Sequence, residues 1–208
     1  MFIGKYNRSV ILTYVGVAAA FAGTAFAVEG ALAPAMIALV FAGICDLFDG
    51  VIARRCKRDE TEKEFGVQID SLADVVGFLA LPAVLGLRLA DGIGIVKYPL
   101  LFGYILCGII RLAWFNTSAA AEGVRTHYDG LPVTYAALII PVTYAVLGFF
   151  PEFLSEFYAA LIWAAEYAVI AVLFILNVKI AKPRGVWYVI FGALAVGIIA
   201  LILVRDVL

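Results

Sequence analysis

Charge is scarce in this chain. Asp, Glu, Lys and Arg make up 15% of its residues, against about 25% in an ordinary soluble domain. A large buried core would not account for the deficit, because the apolar runs are too long and too numerous. With 65% apolar residues and a mean hydropathy of +1.05, a water-soluble globule is excluded. Neither sign of charge is in excess: the net charge of −1 gives no electrostatic basis for a nucleic-acid partner. Cysteine is almost absent. Cys45, Cys56 and Cys107 are an odd number, lack metal-ligand spacing and fall in the inner half of the membrane or the cytosol, which argues against a disulfide. Histidine occurs once, as His127 in a polar loop over 119–130, and reads as a surface or lid residue rather than a catalyst. There is no internal repeat and no linker composition, so residues 1–208 read as one transmembrane domain.

What fills the chain is long apolar runs. A membrane helix needs about 20 apolar residues at ~1.5 Å rise each. Such spans lie near 9–28, 31–53, 67–90, 98–118, 131–150, 155–178 and 186–206. Residues 9–28 are a first span rather than a cleaved leader, because spans continue along the whole sequence. The fold class is therefore an all-α integral membrane protein, with a core over about 9–178 and an extra C-terminal helix over about 186–206. Lys5, Arg8, the Arg54–Lys63 stretch, Arg125, Lys179, Lys182 and Arg184 occupy alternate loops. The positive-inside rule puts these loops, and the N-terminus, in the cytoplasm of a multi-pass cell-membrane protein. Seven spans then leave the C-terminus outside, an assignment that Arg205 opposes.

Four aspartates stand out against this background. Asp46 and Asp49 are three apart, and Asp70 and Asp74 four apart, so each pair shares a helix face. Two antiparallel helices joined by a charged loop over 55–65 can aim all four carboxylates into one cytoplasm-facing pocket. Carboxylates at membrane depth are costly and need a compensating charge. One or two Mg²⁺ or Mn²⁺ ions suit an all-oxygen site that also recruits phosphates. Gly50 and Gly66 leave the backbone open to a phosphate or nucleotide, and Arg54 can pair with a phosphate oxygen. The purely structural alternative has the acids paired with Arg54, Arg55 and Arg111.

The pattern Asp46-x2-Asp49-Gly50-x2-Ala53-Arg54, eleven residues, Gly66-x3-Asp70-x3-Asp74 resembles the signature of the CDP-alcohol phosphotransferases. All eight signature positions match, and the loop is on the long side. The resemblance implies a six-helix core, a homodimer, and transfer from a CDP-activated group to an alcohol with release of CMP. It implies that Asp46, Asp49, Asp70 and Asp74 hold the metal ions and that Asp74 is the general base. It also implies that Asp49, Gly50, Ala53, Arg54, Gly66 and Asp70 line the CDP site.

A second segment bears on the alcohol. Arg111-Leu-Ala-Trp114-Phe115-Asn116, followed by Tyr128-Asp129-Gly130-Leu131-Pro132, is similar to a pattern of the membrane-embedded phosphatidylserine synthases. Trp114 replaces an arginine and Tyr128 a phenylalanine of that pattern. The resemblance implies CDP-diacylglycerol and L-serine as substrates, with Arg111, Asn116 and Gly130 at the acceptor or lipid phosphate. An intramembrane Arg needs an anion, which a lipid phosphate or the acceptor's carboxylate would supply; snorkelling or pairing with an aspartate is the bland account. Inositol phosphate, glycerol phosphate or choline are alternative acceptors. Phosphorylated ones would call for cations beyond Arg111 and Arg125. A divalent-cation transporter would spread polar residues over several depths, whereas these acids gather at one end. Glu166, Asn177 and Ser71 read as packing polar groups, and Gly77, Gly86, Gly103 and Gly108 as helix-packing glycines.

Overall fold

In the computed structural model, residues 3–122, 127–150, 154–183 and 185–207 are described. The helices are α1 (Ile11–Glu29), α2 (Leu32–Arg55), α3 (Glu60–Leu89), α4 (Lys97–Glu122), α5 (Ala136–Leu147), α6 (Glu156–Ile175) and α7 (Val186–Val207). Six of these segments are long and apolar enough to cross a bilayer, and Val133–Leu147 is a shorter apolar helix. Two three-residue strands, β1 (His127–Asp129) and β2 (Lys179–Ala181), pair antiparallel, with Tyr128 opposite Ile180. The all-α expectation holds apart from this ribbon, which joins two stretches read from the sequence only as loops. Arg125 and Arg184 lie outside the described residues.

The first hairpin is built from small residues. Thr13, Ala20, Gly23 and Ala27 are buried along one stripe of α1, the small-residue pattern that lets membrane helices approach closely. A Cβ on Gly23 would lie 3.0 Å from the Ala38 Cβ. Gly30, at φ +85°, ends α1 in the left-handed conformation, and the Ala31 N–H bonds back to Phe26 O at 2.8 Å.

The connection between α2 and α3 corrects the sequence reading. A loop was expected over 55–65, but α3 starts at Glu60. The Asp59 side chain accepts from the Glu62 N–H at 2.6 Å, while Glu62 Oε2 accepts from the Asp59 N–H at 3.0 Å. This reciprocal capping box forces helix onto a polar stretch that hydropathy alone assigns to a loop. The Glu62 N–H and the Thr61 hydroxyl hold the Asp59 carboxyl below its usual range. Gly66, Asp70 and Asp74 therefore all lie within an established helix.

Just past Asp74, α3 widens into a π segment, Val75–Ala80. Pro82 explains it. Proline has no N–H to bond the carbonyl four residues back, which is Phe78 O. That carbonyl accepts instead from the Tyr104 hydroxyl of α4 at 2.7 Å, and the Tyr167 hydroxyl of α6 donates to Pro82 O at 2.5 Å. Tyr104 and Tyr167 are fully buried and meet edge to face. Two tyrosines thus meet the demand that every backbone group be satisfied within a membrane.

Gly86 and Gly108 serve helix packing, since an added Cβ would collide with Leu101 and Leu79, whereas Gly103 meets nothing within 4 Å. Glu166 accepts from Thr143 Oγ1 at 3.1 Å across the α5–α6 contact, and Ser71 joins α3 to Asn116 of α4. Both match the packing roles expected of them. Arg205 lies 4.3 Å over the Tyr144 ring and donates to Tyr144 O at 3.5 Å. Its guanidinium is thus occupied at the C-terminal end of α5, the favourable end for a cation.

Contacts gather the basic segments at one end of the bundle. Lys5 pairs with Asp59 at 3.7 Å, Asn7 Nδ2 donates to Lys57 O at 3.4 Å, and β1 meets β2. At the other end Arg88 donates to Val28 O at 2.7 Å, and Lys97 pairs with Asp91.

Candidate active site

Asp46 and Asp49 project from the last turns of α2, facing Asp70 and Asp74 of α3. All four line one cleft, closed on the α1 side by Thr13, Gly16 and Val17. Asp49 and Asp74 are buried, at 7% and 9% exposure. Asp46, Asp49 and Asp70 each present a carboxylate oxygen, all within 4.8 Å of one another. Asp74 lines the same cleft one turn further along α3 but stands outside this triad.

Among the described residues, no ion pair within 4.0 Å involves any of the four aspartates. The structural alternative, with the acids paired to Arg54, Arg55 and Arg111, is therefore not what the chain adopts. Converging buried carboxylates repel one another and lose hydration. A hard cation with oxygen ligands fits this donor set, and Asp46, Asp49 and Asp70 are the residues placed to hold it.

Thr13 was missed by the sequence reading. Its Oγ1 donates to Asp49 Oδ2 at 2.9 Å, and the bond is buried. It orients one carboxylate from the neighbouring helix, as partners behind metal ligands commonly do. The signal was present, because Thr13 is the polar member of the α1 stripe that faces α2. Thr13→Val keeps the shape and removes the donor. We expect it to raise the metal concentration for half-maximal activity by about 10–100-fold, read from a metal titration of the purified variant.

The glycines of the signature face guanidinium groups. A Cβ on Gly50 would lie 3.6 Å from Arg54 Nη1, and one on Gly66 would lie 3.3 Å from Arg58 Nη1. Arg54 also donates to the Tyr188 hydroxyl of α7 at 3.3 Å. Arg58 belongs to the stretch assigned from the sequence to a charged loop. Here it folds over Gly66, and its buried Nε has no hydrogen-bond partner.

The acceptor candidates separate. Arg111 of α4 is buried, 6% exposed, so it does not snorkel. It lies 5.2 Å over Phe115 and 5.7 Å over Tyr128, and its Nε finds no partner. Lys182, just past β2, lies 4.8 Å over Tyr128 and 5.4 Å over Phe115, so the ribbon brings a second cation to the same rings. Burial pushes the Tyr128 phenol above its usual range against the pull of Arg111, which keeps the hydroxyl protonated as a donor. Asn116 is braced on Ser71 at 2.9 Å, next to Asp70.

Gly130 packs tightly against α6. At φ +74°, its N–H bonds Val178 O at 2.9 Å, and an added Cβ would strike Phe174 O. Its geometry is accounted for by packing against α6. Gly130→Ala should destabilise the protein by roughly 1–3 kcal/mol, seen as a lower melting temperature in detergent.

A family model described as CDP-alcohol phosphatidyltransferase matches residues 6–171. The chain belongs to the CDP-alcohol phosphatidyltransferase family. It is 31% identical over 177 residues to a protein of Methanothermobacter thermautotrophicus named archaetidylserine synthase, an alignment covering 84% of this chain and 68% of that one. It is 33% identical over 115 residues to the CDP-diacylglycerol–serine O-phosphatidyltransferase of Saccharomyces cerevisiae, covering 51% and 40%. The protein of that name in Bacillus subtilis is 28% identical over 112 residues, covering 51% and 58%. For the yeast and Bacillus relatives the matched part is thus less than two thirds of their length. The family-matched region ends within α6, so β2 and α7 lie beyond it.

Proposed function

We propose that this member of the family transfers the lipid phosphate of CDP-diacylglycerol, or of a CDP-activated lipid of the same kind, to L-serine. The products are phosphatidylserine and CMP. The observation that carries the reading is the convergence of four carboxylates, with no ion pair to any of them among the described residues, at the basic end of a membrane bundle. The serine assignment draws on the names of the similar proteins and on the segment from Arg111 to Pro132.

In this reading Asp46, Asp49 and Asp70 hold Mg²⁺ or Mn²⁺, which when bound neutralises the diphosphate and stabilises the departing CMP. Gly50, Ala53, Arg54 and Gly66 line the CDP, with Arg54 donating to phosphate oxygens. The serine hydroxyl attacks the lipid-bearing phosphorus as the bond to CMP breaks. Asp74 accepts the hydroxyl proton, a role consistent with its place beside the triad rather than in it. Arg111 and Asn116 hold the acceptor or the lipid phosphate, with Arg111 meeting an anion such as the serine carboxylate. The Lys/Arg asymmetry supports a cytoplasmic site, and the family resemblance supports a homodimer.

One observation favours a second acceptor class. Lys182 adds a cation beside Arg111 that a phosphorylated alcohol could use. A panel of L-serine, inositol phosphate, glycerol phosphate and choline, offered with CDP-diacylglycerol or CDP-archaeol and followed by CMP release, decides both substrates. We expect serine-dependent, metal-dependent release. Release with a phosphorylated alcohol and none with serine would overturn the serine assignment.

A further inference from the structure

Gly50 lies one turn beyond Asp46 on α2, and Gly66 one turn before Asp70 on α3. The two helices run antiparallel, so both glycines stand about 6 Å along their helices from the carboxylates, toward the connection between α2 and α3. The carboxylate cleft stops short of them, with Asp49 and Asp70 as its last residues on this side. A guanidinium lies over each glycine instead. Arg54 Nη1 is 3.6 Å from the place of a Gly50 Cβ, and Arg58 Nη1 is 3.3 Å from that of a Gly66 Cβ.

The two arginines are held differently. Arg54 donates to the Tyr188 hydroxyl. Arg58 belongs to residues 56–59, between α2 and α3, and lies outside the eight signature positions. The chain is tied down on both sides of it. Lys57 O accepts from Asn7 Nδ2 at 3.4 Å, and Asp59 pairs with Lys5 at 3.7 Å while capping α3. The acids that follow are engaged elsewhere, Asp59 and Glu62 in the capping box and Glu60 with Lys63 at 2.7 Å. Among the described residues Arg58 forms no ion pair, and its buried Nε has no hydrogen-bond partner. A guanidinium is a charged fork of five donors. Leaving a buried donor unmade is costly, so this arrangement calls for an acceptor beside Gly66.

We propose that Arg58 is a further residue of the nucleotide site, holding the CMP half of the donor over Gly66. The inference rests on the reading above that the donor is a CDP-activated lipid. With the diphosphate at the carboxylates, the nucleotide has two directions open to it. On one side of the aspartates the cleft is walled by Val17, Ala42 and Phe78, which suit neither a sugar nor a base. On the other side Gly50 and Gly66 leave room, and Arg54 and Arg58 supply donors for phosphate, ribose and base oxygens. Arg58 meets the nucleotide before transfer and CMP after it, so its contribution is to affinity rather than to bond making.

The test uses the full-length protein in detergent with Mg²⁺. Incorporation of labelled L-serine into lipid, or of the alcohol that the panel above selects, is followed at varied CDP-diacylglycerol and with added CMP. Arg58→Ala is expected to raise the KM for CDP-diacylglycerol and the inhibition constant of CMP together, about tenfold or more, the effect of losing a charge-assisted hydrogen bond. Arg58→Lys keeps the charge without the planar fork. It is expected to shift both constants the same way by a smaller factor, and it decides the matter if the alanine variant does not fold. An unchanged inhibition constant for CMP in the folded variants overturns the assignment. That holds whether the loss falls on the KM of the alcohol, on the melting temperature alone, or on the response to added anionic lipid, which would make Arg58 a headgroup contact. A wild type that turns over no CDP-diacylglycerol with any alcohol of the panel overturns the donor reading itself. The assignment of Arg58 fails separately, against a wild type that is active and inhibited by CMP.

Discussion

Asp74→Asn is expected to cut serine-dependent CMP release by about 10²–10⁴-fold, the range for losing a positioned general base. The substitution preserves the shape of a buried side chain that packs beside Ala73, Gly77 and Phe78 in the cleft. It leaves Asp46, Asp49 and Asp70, the three oxygen donors within 4.8 Å of one another, untouched. The loss should therefore fall on kcat, with the metal titration midpoint close to that of the wild type. If Asp74 were instead chiefly a metal ligand, the midpoint would move and excess metal would restore turnover. A variant that turned over at near-normal rate would show that another group takes the proton.

Removal of divalent ions with a chelator is expected to bring CMP release to background, and added Mg²⁺ or Mn²⁺ to restore it. The argument is electrostatic. The carboxylates of Asp46, Asp49 and Asp70 approach one another with no arginine or lysine of the described residues within ion-pair distance. A CDP diphosphate would add further negative charge, and no account of binding works without a cation between them. Asp49→Asn should push the half-saturating metal concentration up by at least about 10²-fold, since losing a mere hydrogen-bonding partner of a ligand costs about 10–100-fold. Full activity in the presence of chelator would overturn the metal reading outright.

The helical bundle and the four aspartates were legible in the sequence because both rest on strong local signals. Runs of about 20 apolar residues leave little alternative to membrane helices, and spacings of three and four put carboxylates on shared faces. Three features were hidden for physical reasons. The start of α3 at Glu60 depends on a capping box, a two-residue hydrogen-bond device that a hydropathy window averages away. The π segment depends on Pro82 together with two tyrosines from distant helices, Tyr104 and Tyr167. The ribbon pairs His127–Asp129 with Lys179–Ala181, and three-residue strands far apart in sequence carry no periodicity to detect. As a result, Lys182 was counted as a topology marker when it stands over the Tyr128 ring. Arg111, by contrast, was singled out by its cost alone, and its burial with an unpartnered Nε keeps it a candidate for an anion.

The ribbon also sets where this enzyme can be cut and joined. A chimera spliced where the family-matched region ends would inherit β1 from one parent and β2 from the other. Tyr128 would then face a foreign residue in place of Ile180, and the cation over its ring would change with the donor of the tail. Exchange of the C-terminal segment is thus not the exchange of an appendage. It changes what stands over the Tyr128 ring while leaving the aspartates unaltered.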